Sequence, residues 1–218
     1  FKNKFTNITG GKTFDVTVNK KIVDATYLKT SIPITHKPSF TLDDEVDFTP
    51  VNTLTQRVRG HKNYVVIGGG KTGIDTCLWL LSNFVNPENI HWVVSRDAWL
   101  LNRKNTQPLS DFFFDTIGAQ ANQMEAIAQS TSIDDMFDKL EEKGVMLRID
   151  KDVRPAMFHG ATVSEAELAA LQTLPNIIRH GRVTHVGKEA LTFKDAQWAM
   201  PEDALVVDCS ASALTNLE

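Results

Sequence analysis

With 218 residues, 42% of them hydrophobic, the chain can bury a sizeable core as one domain or as a domain with an appendage. A net charge of -4 leaves no basic footprint for nucleic acid or an anionic membrane surface, and no apolar run approaches membrane-spanning length. The 2 cysteines, Cys77 and Cys209, form no C-x-x-C pair, and neither they nor the 6 histidines fall at metal-ligand spacings. No dithiol, disulfide framework or metal site is expected, and the expected compartment is the cytoplasm.

The first elements read as β-structure. Phe1–Thr9 and Thr13–Val18 are rich in Phe, Val and Thr and are joined by Thr9-Gly10-Gly11-Lys12, the composition of a hairpin. Lys21–Leu28 reads as a third strand. From Ser31 to Gln56, Pro33, Pro38 and Pro50 interrupt a stretch of threonines and acids with little periodicity, which predicts a linker or extended crossover instead of a core element.

The most informative stretch follows. The apolar run Tyr64-Val65-Val66-Ile67 leads directly into Gly68-Gly69-Gly70-Lys71-Thr72-Gly73, and Ile74, Cys77, Leu78 and Leu81 then recur at helical spacing. A strand, a tight G-x-G-x-x-G turn and a helix are what a dinucleotide site needs. Gly68 permits the turn, Gly70 lets the backbone approach a pyrophosphate, and Gly73 lets helix and strand pack closely. The amides opening the helix, with its dipole, favour an anion. Gly70-Lys71-Thr72 also looks like the end of a P-loop, but Val65 stands where that motif needs glycine.

Pro87 ends the helix, and Ile90–Val94 reads as the next strand. At its end an NAD-preferring domain carries Asp or Glu to bind the ribose 2′-hydroxyl; this chain has Ser95 and Arg96. A guanidinium clamps a 2′-phosphate through paired hydrogen bonds where a carboxylate would repel it, so NADP(H) is expected over NAD(H). Asp97 complicates this, because a two-residue shift of register would restore an acid. Arg103 is placed either to reach the cofactor phosphates or to act as a surface charge.

Asp111–Gln129 carries enough apolar positions for an amphipathic helix. A second helix spans Ile133–Lys143, with Ile133, Met136, Phe137 and Leu140 on one face and Gly144 as its stop. Val145–Ile149 is expected to be a third parallel strand. Ser164-Glu165-Ala166-Glu167 is a capping box opening a short helix that ends near Pro175. Ile177–His180, Arg182–Val186, Leu191–Phe193 and Trp198–Met200 read as a β-meander, and Ala204–Ala211 as the last strand. The strand ends Ile22–Thr26 and Val206–Ser210 resemble one another, both running apolar-Val-Asp-small-hydroxyl.

Val65–Asp75, with a strand ending in Ser95-Arg96, resembles the NADPH domain of flavin-containing monooxygenase-like oxidoreductases. Asp24-Ala25-Thr26-Tyr27 and Asp208-Cys209-Ser210-Ala211 are similar to the strand ends that flank this domain where it is inserted into an FAD domain, although Tyr27 and Ala211 replace the usual glycine. The resemblance implies a Rossmann-like, doubly wound, mostly parallel α/β sheet with a β-meander and an N-terminal antiparallel appendage. It divides the chain into a residual β-meander of a truncated FAD domain (1–32), a linker (33–60) and an NAD(P)-binding domain (61–218). The family's FAD-binding G-x-G-x-x-G does not occur in this sequence. The chain is therefore expected to be a piece of a longer flavoprotein, binding NADP(H) through Gly68, Gly69, Gly70, Lys71, Thr72, Gly73, Ser95, Arg96 and Arg103. FAD would be held with the missing FAD-domain segment, and by itself the chain would be colourless and without NADPH oxidation. In the full-length protein NADPH would pass hydride to FAD; the substrate and a catalytic residue are not read from the sequence. A flavin disulfide reductase relative and a non-enzymatic NAD(P)-sensing module are the alternatives.

Overall fold

The structure is a computed structural model that describes residues 2–7, 9–23 and 32–211. The chain divides into two compact units, residues 1–31 with 212–218, and residues 32–211. In the first, β1 (Lys2–Thr6) and β2 (Thr13–Thr17) form the expected antiparallel hairpin, with Phe5 opposite Phe14. Of the expected third strand, Lys21–Val23 is not extended into a sheet, and the remainder lies outside the described residues, as does the early copy of the repeated strand end.

The second unit opens with β3 (Thr41–Leu42), β4 (Phe48–Pro50) and the short α1 (Leu54–Arg57). The stretch expected to be a linker therefore contributes to two of the unit's sheets and to the core, where Phe40, Thr49 and Leu54 are buried. Strands this short carry no readable period. Pro50 is tolerated because β4 is an edge strand, where the missing amide breaks no ladder.

Next come β5 (Asn63–Ile67), α2 (Lys71–Ser82), β6 (Ile90–Val93) and β7 (Ala98–Asn102). Two helices follow, α3 (Phe113–Gln129) and α4 (Ile133–Glu142); Gly144, at φ 66°, stops the second. After β8 (Met146–Leu147) and β9 (Met157–Val163), the capping box opens α5 (Glu165–Leu171). The chain ends with β10 (Asn176–Ile178), β11 (Val183–Val186), β12 (Ala190–Phe193), β13 (Gln197–Ala199) and β14 (Ala204–Asp208).

The unit is mixed α/β. Its central sheet runs β10-β6-β5-β14-β4, every pairing parallel, with Tyr64–Ile67 in the middle strand. Alternation divides the two faces. Tyr64, Val66, Trp92, Leu205 and Val207 pack with Ile74, Cys77 and Leu80 of α2 and Leu171 of α5. Val65, Ile67, Val93 and Val206 pack instead against Val186, Leu191 and Phe193 of the sheet β13-β12-β11-β3. Helices thus cover one face and the meander the other.

Two strand expectations are corrected. Met146–Leu147, within the stretch expected to be a third parallel strand, runs antiparallel to β7 in a separate sheet β8-β7-β9. The third parallel strand is Asn176–Ile178, beside β6, so the meander begins only at Val183. Both segments are short apolar runs, and composition does not encode which neighbour such a run finds.

Candidate functional site

The parallel strands β6, β5 and β14 end together, and β5 turns there into α2. From β5 the chain steps to β6 and β10 on one side, then returns to β14 on the other. The carboxyl end of β5 is therefore the point where the strand order reverses, the place where doubly wound sheets hold ligands.

At that point the backbone is too crowded for side chains. Gly68 has φ 138°, and a Cβ there would lie 2.5 Å from the Cys209 carbonyl oxygen. A Cβ on Gly73 would lie 1.9 Å from the Gly68 carbonyl oxygen and 3.1 Å from the Trp92 indole nitrogen. That indole, on a fully buried side chain, donates to the same Gly68 carbonyl at 2.8 Å and fixes the turn against β6. Gly69 sits against Val94, with its Cβ direction 3.0 Å from Cγ1 and 3.5 Å from the Arg96 carbonyl oxygen. Gly70 differs: a Cβ there meets open space.

Gly70 is the N-cap of α2, and no side chain caps it. The first amides of a helix have no intrahelical acceptor, so Lys71, Thr72 and Gly73 present donors at the positive end of the dipole. Lys71 forms an i,i+4 ion pair with Asp75 on the exposed side. Beside this turn lies a cleft of about 300 Å³ lined by Val51, Leu54, Thr55, Thr72, Asp75, Thr76 and Trp79. A cavity of about 410 Å³ opens at the amino ends of β5 and β14 among Glu45, Asp47, Glu189, Glu202 and Asp203. These carboxylates outnumber Lys188 and His61 in the same lining, so the cavity does not favour an anion.

Ser95 is half-buried and Arg96 exposed just past β6. The acid in question, Asp97, is engaged: Arg179 donates to both its oxygens, Nε at 3.0 Å and Nη2 at 3.2 Å, and its side chain is 10% exposed. Arg179 also reaches Asp150 at 3.4 Å. This pairing joins residues 82 apart and left no sequence signal. Arg103 lies in another group, donating to the Thr162 carbonyl at 3.1 Å and to Glu167 at 3.0 Å, where it buttresses the capping box of α5.

Asp208, which the sequence placed only within a strand end similar to those flanking the domain, stands at the end of β14 in register with Ile67. It is 1% exposed; Oδ1 accepts from the Ser210 amide at 2.8 Å and from the Ser210 hydroxyl at 2.6 Å, while Oδ2 has no hydrogen-bond partner among the described residues. Cys77 and Cys209 are buried, and burial pushes the Cys209 thiol up to about 12, so neither is a thiolate nucleophile at neutral pH.

No family model matches the chain. Uncharacterized proteins of Mycobacterium bovis and Mycobacterium tuberculosis are 40% identical to it over 204 residues, 92% of this chain and 37% of each relative. The chain thus spans about 37% of the length of the curated relatives it matches. Among the described residues no helix is long and apolar enough to cross a membrane.

Proposed function

We propose that residues 61–211 are a Rossmann-like NADP(H)-binding domain belonging to a flavin-containing monooxygenase-like oxidoreductase. The observation that carries this reading is the β5–turn–α2 junction, where Gly68 and Gly73 are closed to any side chain while Gly70 faces open space at an uncapped helix start. Ordinary turns need one glycine for φ; this turn uses three for three different reasons, as a pyrophosphate cradle requires. The amides of Lys71, Thr72 and Gly73 hold the pyrophosphate.

Preference for the 2′-phosphate rests on Ser95 and Arg96, because Asp97 is neutralised by Arg179 and is not offered to a ribose hydroxyl. The bound nucleotide supplies hydride, and in the full-length protein FAD accepts it. The flavin-binding segment belongs to sequence outside this chain, a reading supported by relatives that are much longer than the matched region.

Titration of NADPH and NADH against the wild type and Arg96→Ala tests the assignment. The wild type is expected to favour NADPH, and Arg96→Ala to lose about 1.5–3 kcal/mol of NADPH binding, roughly tenfold to a hundredfold, with NADH unaffected. Equal affinities in the wild type, or an Arg96→Ala protein that still prefers NADPH, would contradict it.

A further inference from the structure

The chain leaving β6 runs alongside the glycine turn. The Cβ direction of Gly69 ends 3.0 Å from Val94 Cγ1 and 3.5 Å from the Arg96 carbonyl oxygen. Two residues of opposite charge, Arg96 and Asp97, therefore leave the backbone beside the same turn. Arg96 is exposed, whereas the Asp97 side chain is 10% exposed and gripped edge to edge by Arg179. Nε donates to Oδ2 at 3.0 Å and Nη2 to Oδ1 at 3.2 Å, the fork geometry that occupies both carboxylate oxygens at once.

The sheet supplies the guanidinium. β10 lies beside β6 with Ile178 in register with Val93, and the Val94 amide donates to the Ile178 carbonyl at 3.0 Å. Arg179 is the next residue. Because the strand order is β10-β6-β5, it stands across β6 from the turn. A second carboxylate, Asp150, meets the same guanidinium at 3.4 Å and helps to hold it there.

We propose that Arg179 sets the coenzyme preference of the domain by withholding Asp97 from the nucleotide, an inference that rests on the nucleotide reading of the glycine turn. A carboxylate set free next to Arg96 would do two things. It would accept hydrogen bonds from the ribose hydroxyls of NADH, and it would repel the 2′-phosphate of NADPH, for which Arg96 is the attractive partner. Clamped by Arg179, it does neither. Discrimination then comes from a repulsive group that has been silenced as well as from an attractive one that is offered. Arg179 acts through Asp97 without touching the nucleotide, so it is a positioning residue, and Arg179→Lys is not a neutral exchange because an ammonium cannot span both oxygens.

Calorimetric titration of NADPH and NADH against the wild type, Arg179→Met and the double variant Asp97→Asn, Arg179→Met tests this, with circular dichroism confirming the fold of each. Arg179→Met is expected to bind NADH roughly tenfold more tightly than the wild type and NADPH roughly tenfold more weakly. The double variant, which no longer carries the acid, is expected to lose the gain for NADH and to recover NADPH binding. If Arg179→Met does not fold, Arg179→Lys decides, with a smaller shift of the same sign expected. A wild type that binds neither nucleotide overturns the nucleotide reading and this inference together. A wild type that prefers NADPH, beside a folded Arg179 variant whose NADPH-to-NADH ratio is unchanged, overturns this inference alone. An equal loss for both nucleotides is the result of a merely structural role and also overturns it.

Discussion

At Gly73 a single added methyl group has nowhere to go, because the obstacle is a backbone carbonyl and not the end of a flexible side chain. Gly73→Ala is therefore expected to destabilise the fold by about 3 kcal/mol, read as a lowered denaturation midpoint. An unchanged midpoint would show that the junction relaxes more readily than its geometry implies. The two thiols give a second residue-scale test. Burial raises the Cys77 and Cys209 pKa, with the charge of Cys209 adding to the shift of Cys77. A thiol reagent at pH 8 is expected to label neither in the native protein and both after unfolding; rapid native labelling of either would contradict the packing of Thr76 and Cys209 at 3.2 Å.

Among elements, those whose signals are local were legible in the sequence. The α5 box is present in full, with Ser164 accepting from the Glu167 amide at 3.1 Å and Glu167 accepting from the Ser164 amide at 2.6 Å. Ser164→Ala is expected to cost about 1 kcal/mol. Burial alone would raise the Glu167 carboxyl, but the Ser164 amide and the Arg103 guanidinium outweigh it and hold it below the usual glutamate range. A depressed carboxyl contributes stability that is fully present above the unfolded value, about pH 4.3, and is lost as pH falls through the lower folded value. Glu167→Gln should flatten the acid limb of a stability–pH profile, and an identical slope in both proteins would remove Glu167 from the account. What the sequence did not disclose depends on distant partners. β7 and β9 pair across the helical segment between them, Val145–Ile149 contains an antiparallel strand, and the Asp97–Arg179 pair joins two strand ends. The stretch 33–60 was unreadable for a different reason: strands of two or three residues have no period.

Over the whole of unit 32–211, the parallel sheet and its strand order turn one glycine motif into a defined position, the carboxyl edge where β6, β5 and β14 end. The motif and the strand-end arginine were visible in the sequence; that Asp97 is occupied by Arg179 and that Gly70 alone of the motif glycines faces open space required the fold. Gly70 separates site from scaffold. At φ -87° and ψ -175° its backbone suits alanine, and a Cβ there touches nothing in the protein. The same Cβ would stand where, on the proposed reading, a pyrophosphate approaches. Gly70→Ala, followed by thermal unfolding and NADPH titration on the same sample, is the most direct test. The account predicts an unfolding free energy changed by less than about 1 kcal/mol together with at least a roughly tenfold loss of NADPH affinity. NADPH binding by Gly70→Ala at the wild-type affinity would contradict it.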